Sequence, residues 1–108
     1  MTPQELVSRG FDRYTPGLSA RFGVHGLNFG FVYSPEGKSL SVCLSGKHRS
    51  GEVYLDAEGA CRLTVTGGLG RPFMRERQLG DNGDLFHEEL AALFLYVSEK
   101  SDFRDLFA

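Results

Sequence analysis

Ser39-Leu40-Ser41-Val42-Cys43-Leu44-Ser45 alternates small polar and apolar residues without a break. That period of two defines a β-strand with Leu40, Val42 and Leu44 on one face and Ser41, Cys43 and Ser45 on the other. A strand of this kind covers a core on one side only, as in antiparallel sheets. The pattern extends in both directions. Upstream, Ser34-Pro35-Glu36-Gly37 is a turn, with Pro preset for the first central position and Gly suited to a positive φ. Asn28 to Ser34 before it reads as a strand. Earlier still, Ala20, Phe22 and Val24 alternate with Arg21, Gly23 and His25, ending in a turn near Gly26-Leu27. Downstream, the loop Gly46-Lys47-His48-Arg49-Ser50-Gly51 leads to a strand carrying Val53 and Leu55. Asp56-Ala57-Glu58-Gly59 is a second turn signal, after which Cys61, Leu63 and Val65 alternate with Arg62, Thr64 and Thr66. Gly67-Gly68-Leu69-Gly70 interrupts the pattern, and Phe73 to Leu79 reads as a sixth strand.

Helical periodicity brackets the strands. Thr2 and Glu5 form a capping box around Pro3, and Leu6, Val7, Gly10, Phe11 and Tyr14 make an apolar stripe, so Thr2 to Tyr14 is an expected helix. Asp81 to Asp84 offers N-caps, and Phe86, Leu90, Leu93 and Val97 follow the spacing of a helix facing the sheet. The 108 residues are thus expected to form a single α+β domain. Its order is an N-terminal helix, an antiparallel meander of five or six short strands, and a C-terminal helix on the face bearing Val42, Leu44, Val53, Leu55, Leu63 and Val65.

Charge is uneven along the chain. Ten Lys or Arg oppose seven Asp or Glu through Gly80, and two oppose seven from Asp81 onward. The acidic balance argues against nucleic acid, although Arg71, Arg75 and Arg77 form a basic cluster. Cys43 and Cys61 fall in different strands at no zinc or redox spacing, and Met1-Thr2-Pro3-Gln4-Glu5 has no basic leader or apolar run. The expected compartment is therefore the cytoplasm.

The chemistry of catalysis is poorly represented. Gly67 to Arg71 lacks the Lys-Ser or Lys-Thr and the following helix of a phosphate loop. His25, His48 and His87 are spread apart, so no metal site is expected. Cys43 would be nucleophilic only beside a base. Glu88 and Glu89 are adjacent on a helix and diverge, which does not make a carboxylate pair. Lys47, His48 and Arg49 form a weak anion-binding candidate. No cofactor is expected.

Two groups of apolar residues exceed the needs of one core face. If the first hairpin carries a glycine bulge, Ser34 opposes Lys38, and Phe29, Phe31, Tyr33 and Tyr54 share the face away from the core, where the N-terminal helix covers them or they stand open as a binding surface. On the last helix Leu85, Ala92 and Tyr96 form a second apolar line, which Phe103 and Phe107 extend if the helix passes Ser101; otherwise the chain turns at Ser101-Asp102. The expected function is a non-enzymatic, bacterial protein-binding domain that occludes or chaperones a partner, as toxin-neutralising immunity proteins and secretion chaperones do. No motif carries a family assignment. In this reading Glu88, Glu89, Glu99 and Asp102 lie over a basic site of the partner, anchored by Phe29, Phe31, Tyr54, Tyr96, Phe103 and Phe107. Reversing Glu88 and Glu89 to Lys is then expected to weaken the partner without unfolding the domain. The alternatives are a ligand-binding or enzymatic pocket between sheet and helix near His25 and Cys43, and a homodimer built on the aromatic sheet face or the Tyr96 line.

Overall fold

The computed structural model describes residues 26–34, 36, 38–66, 72–78, 84–102 and 104–105, without the side chains of Phe31 and Asp84. The expected N-terminal helix and the strand around Phe22 lie outside the described residues. Among those described, β1 (Asn28–Ser34), β2 (Ser39–Ser45), β3 (Ser50–Leu55), β4 (Ala60–Thr66) and β5 (Phe73–Gln78) precede one long helix, α1 (Asp84–Val97). The five strands form one sheet in the order of the chain, and every neighbouring pair is antiparallel. The class is α+β. No helix among the described residues is long and apolar enough to cross a membrane.

Register assigns each side chain to a face. Three rows cross the sheet beneath α1: Phe29-Leu44-Gly51-Val65-Phe73, Phe31-Val42-Val53-Leu63-Arg75 and Tyr33-Leu40-Leu55-Cys61-Arg77. Leu40, Val42, Leu44, Val53, Leu55, Cys61, Leu63 and Val65 are all buried there, closed over by Phe86, Leu90, Leu93, Phe94, Tyr96 and Val97. The burial of apolar surface on this one face holds the two layers together. Gly51 leaves a gap in the first row, and Leu93 of α1 occupies it: a Cβ at Gly51 would collide with Leu93 Cδ1 and lie 2.6 Å from the Thr64 carbonyl oxygen.

The register corrects the expected placement of the β1 aromatics. Ser34 pairs with Ser39 rather than Lys38, so Phe29 opposes Leu44 and Phe31 opposes Val42. One extra residue enters the turn, and Lys38 takes the left-handed conformation, with φ 53°. A slip of one residue moves every side chain to the other face, and this register puts Tyr33 against the core rather than away from it. At the second hairpin Gly59 is the left-handed residue, with φ 85°. There Asp56 Oδ1 accepts the amides of Glu58 and Ala60, both at 2.9 Å. That turn follows its sequence.

Two further expectations are corrected on α1. Glu89 is buried at 2% exposure. Its carboxylate is gripped by Arg75 of β5, with Nη2 donating to Oε1 at 2.6 Å and Nε to Oε2 at 3.2 Å. Arg77 Nη1 stands 3.7 Å away. Reversing Glu89 would break a buried ion pair, so the pair Glu88 and Glu89 is not a neutral surface probe; Glu88 alone is exposed. Tyr96 is likewise in the core, 2% exposed, rather than on a second surface line.

The helix does not run past Ser101. Lys100 N–H donates to the Leu95 carbonyl at 2.9 Å and Glu99 N–H to that of Tyr96 at 3.0 Å, a Schellman motif with Glu99 as its left-handed residue at φ 63°. Asp102 and Asp105 then cap each other's backbone amides at 3.0 and 3.2 Å, starting a new helical turn. The Asp105 amide, with that of Arg104 adding to it, holds the Asp102 carboxyl below its ordinary pKa. Glycine suits the Glu99 position better, because a Cβ in this conformation costs about 1–2 kcal/mol. After the larger entropy glycine gives the unfolded chain is allowed for, Glu99→Gly is expected to raise stability by about 0.5 kcal/mol, read as a higher urea midpoint at unchanged slope. A lower midpoint would show that the contact of Glu99 with His48 outweighs the backbone strain.

Candidate binding surface

The same register builds the face away from α1. Its middle rows are Val32-Ser41-Tyr54-Arg62-Glu76 and Gly30-Cys43-Glu52-Thr64-Met74, and a third row runs Asn28-Ser45-Ser50-Thr66. Each residue points here because its neighbours in sequence are needed in the core. Small hydroxyl residues dominate the face. Val32 and Met74 flank it on β1 and β5 and are 62% and 60% exposed. Arg62 lies over the Tyr54 ring at 5.6 Å. Its Nε is 3.5 Å from Glu76 Oε2, outside hydrogen-bond geometry.

At one end of this face an open groove of about 550 Å³ runs over Gly30, Cys43, Ser45, Ser50, Glu52 and Thr64. Glu52 Oε2 accepts a hydrogen bond from Ser41 Oγ at 2.9 Å and one from the Cys43 thiol at 3.5 Å. Burial raises the Cys43 pKa above that of an ordinary thiol; the Ser41 hydrogen bond works against this rise, and Glu52 adds to it. Burial, with the neighbouring carboxylate adding to it, therefore favours the protonated thiol. The carboxylate does not generate the thiolate that a nucleophile requires. Cys61, beneath α1, is pushed up to about 12 by burial and then by the Glu89 carboxylate.

No family model, curated protein or solved structure matches the chain.

The residues singled out from sequence are dispersed. Tyr54 is on the open face, as expected. Phe29 lies on the opposite face at the β1 margin, 44% exposed. Phe31 shares that side by register, its side chain being outside the described atoms. Glu88, Glu99 and Asp102 are exposed along the helix and its exit, whereas Glu89 and Tyr96 are interior. Phe103, Phe107 and His25 lie outside the described residues.

The Lys47-His48-Arg49 loop is largely engaged by the helix end. Arg49 Nη1 donates to the carbonyls of Tyr96 at 3.0 Å and Ser101 at 2.7 Å, and its guanidinium stacks 4.5 Å from the Tyr96 ring centroid. A cation at a helix C-terminus offsets the exposed carbonyls and the dipole. His48 Nδ1 meets Glu99 Oε2 at 3.3 Å, and Lys47 is exposed. The expected pocket between sheet and helix near Cys43 is also corrected, because Cys43 faces away from α1. Among the described residues no three His, Cys, Asp or Glu side chains converge as a metal site would require.

Sequence reasoning missed Glu52 as the partner of Cys43, and Val32 and Met74 as exposed apolar residues. The Cys43-Glu52 pairing was within reach: matching Leu40 with Leu55 and Val42 with Val53 places Glu52 beside Cys43. No such short-range rule existed for Met74, whose strand mixes charge and alternation.

Proposed function

We propose that the protein is a non-catalytic protein-binding domain that occludes or chaperones another protein, and that it does so with the sheet face opposite α1. The observation carrying this reading is that Val32 and Met74, each about three-fifths exposed, flank the same face that presents Tyr54 and Arg62 among small hydroxyl residues. Tyr, Arg and Met are enriched where proteins dock, and a polar surface with a few apolar anchors is the ordinary make-up of a non-obligate interface. The raised Cys43 pKa argues in the same direction, since the one thiol on this face is kept in its unreactive form. Toxin-neutralising immunity proteins and bacterial secretion chaperones are the kinds of protein that work in this way, by covering a site rather than by transforming a substrate. The acidic helix exit, with Glu88, Glu99 and Asp102, is the second surface on offer.

The test compares tagged wild type with the Val32→Glu/Met74→Glu double variant in pull-downs from the native host, read by mass spectrometry. Both positions are exposed, so the variant is expected to unfold within about 1 kcal/mol of wild type while losing its partner about tenfold or more. Retention of the partner by this variant, with loss from Glu88→Lys/Glu99→Lys/Asp102→Lys, would move the docking site to the helix exit. A mass in solution twice that of the chain, lost in the same double variant, would make the partner a second copy.

A further inference from the structure

Among the described residues Glu52 is an anion without a cation. It is partly buried in the middle of the sheet, yet none of the ion pairs among the described residues includes it, and none of the described Lys, Arg or His residues lines the groove it enters. Its Oε2 is pinned by Ser41 and Cys43, both donating. That leaves Oε1 oriented and unspent. A carboxylate removed from water in part and left unpaired is a cost that a fold ordinarily avoids.

Gly30 is the second observation. It lies within β1, where glycine weakens a strand, and a glycine there often marks the close approach of a ligand or another backbone. The pairing of β1 with β2 runs through it without a bulge. Its φ is not positive, and a Cβ would meet only Cys43 Cβ at an ordinary 3.5 Å. Neither backbone conformation nor crowding among the described residues asks for glycine, and its effect is to keep the floor of the groove low beside Cys43 and Glu52. Around that floor Ser45, Ser50 and Thr64 offer acceptor oxygens, and the β1 backbone from Asn28 to Gly30 borders the opening.

We propose that this groove receives the ammonium or guanidinium end of a lysine or arginine side chain presented by the partner protein, with Glu52 as its counter-charge. This rests on the protein-binding reading above. The hydroxyl oxygens accept the remaining donors of the cation, and its aliphatic stem crosses the β1 backbone at Gly30. A volume of about 550 Å³ falls in the range that holds one extended group.

The experiment titrates the isotope-labelled full chain with N-acetyl-arginine amide and N-acetyl-lysine amide, followed by amide chemical shifts. N-acetyl-norleucine amide is the uncharged control and spermidine the free amine. The expected result is a set of shifts centred on Gly30, Cys43, Glu52 and Thr64 with a charged amide and not with norleucine. Binding becomes about tenfold weaker or worse in Glu52→Gln, which keeps an acceptor for Ser41, and also in Gly30→Val, whose branched side chain suits a strand and fills the floor. Equal shifts from norleucine, undiminished binding in Glu52→Gln, or no response from the groove to either charged amide overturns the inference. Spermidine binding there tenfold tighter than both amides replaces the protein side chain with a free polyamine and also overturns it. Because this titration needs no partner and the pull-down needs no groove, failure of one is distinguishable from failure of the other.

Discussion

Glu89→Lys lowers the stability of the domain by about 3–5 kcal/mol, the usual cost of breaking a buried ion pair from one side. At roughly 4–8 °C per kcal/mol for a domain of this size, that is a fall of roughly 20 °C in the thermal midpoint. The new ammonium would sit 2% exposed against Arg75 and Arg77, neither of which loses its charge at neutral pH. The cost lies mainly in the stranded charges rather than in the attraction lost, and this makes a sharper test available. Replacing both partners, as Glu89→Leu with Arg75→Met, removes the charges together and is expected to recover all but about 1–2 kcal/mol. Thermal and urea unfolding of the two single variants and the double variant close the cycle. A Glu89→Lys protein within about 1 kcal/mol of wild type would mean that the helix does not hold this carboxylate against β5.

Gly51→Ala is expected to cost about 2–3 kcal/mol, although it adds only one methyl group to a strand that would otherwise welcome a side chain. Of the neighbours a new Cβ would meet, the end of Leu93 can rotate away, but the Thr64 carbonyl oxygen at 2.6 Å belongs to the β3–β4 ladder and moves only with the sheet. The gain from a stiffer unfolded chain, about 0.4–1 kcal/mol, offsets a minor part of this. Leu93→Ala combined with Gly51→Ala should recover part of the loss by opening the socket from the helix side, leaving the backbone clash as the remainder. Urea midpoints measure both. A neutral Gly51→Ala would show that α1 is not seated in the gap between Leu44 and Val65.

The elements were legible in the sequence because their periodicities are local. Leu40, Val42 and Leu44 identify a strand and a face without knowledge of anything else, and Phe86, Leu90, Leu93 and Val97 do the same for α1. The side on which β1 presents Phe29 was not legible. It depends on whether the first turn contains three residues or four, and Lys38 in the left-handed region has no sequence signature comparable to Gly59. Glu89 is a different case. It falls three residues after Phe86 and four before Leu93, squarely on the buried stripe, while Arg75 and Arg77 share one strand face; the pieces of the ion pair were readable, and only their meeting was not. Tyr96 follows the same logic, three residues after Leu93 with Arg49 waiting at the end of the helix. The groove around Glu52 needed the pairing of two strands at once, so it belongs to the tertiary structure rather than to any stretch of chain.

The helix is tied down at two places that belong to different parts of the sheet. Arg75 grips it from β5 at Glu89, near its middle, and Arg49 grips the carbonyls of Tyr96 and Ser101 at its exit from the connection between β2 and β3. In mechanical terms α1 is a brace, and a brace fastened at two separate points resists the sliding of strands past one another as well as their separation. The proposed docking face is the other side of this same braced sheet, so a partner binding there would not spend its binding energy on ordering the strands.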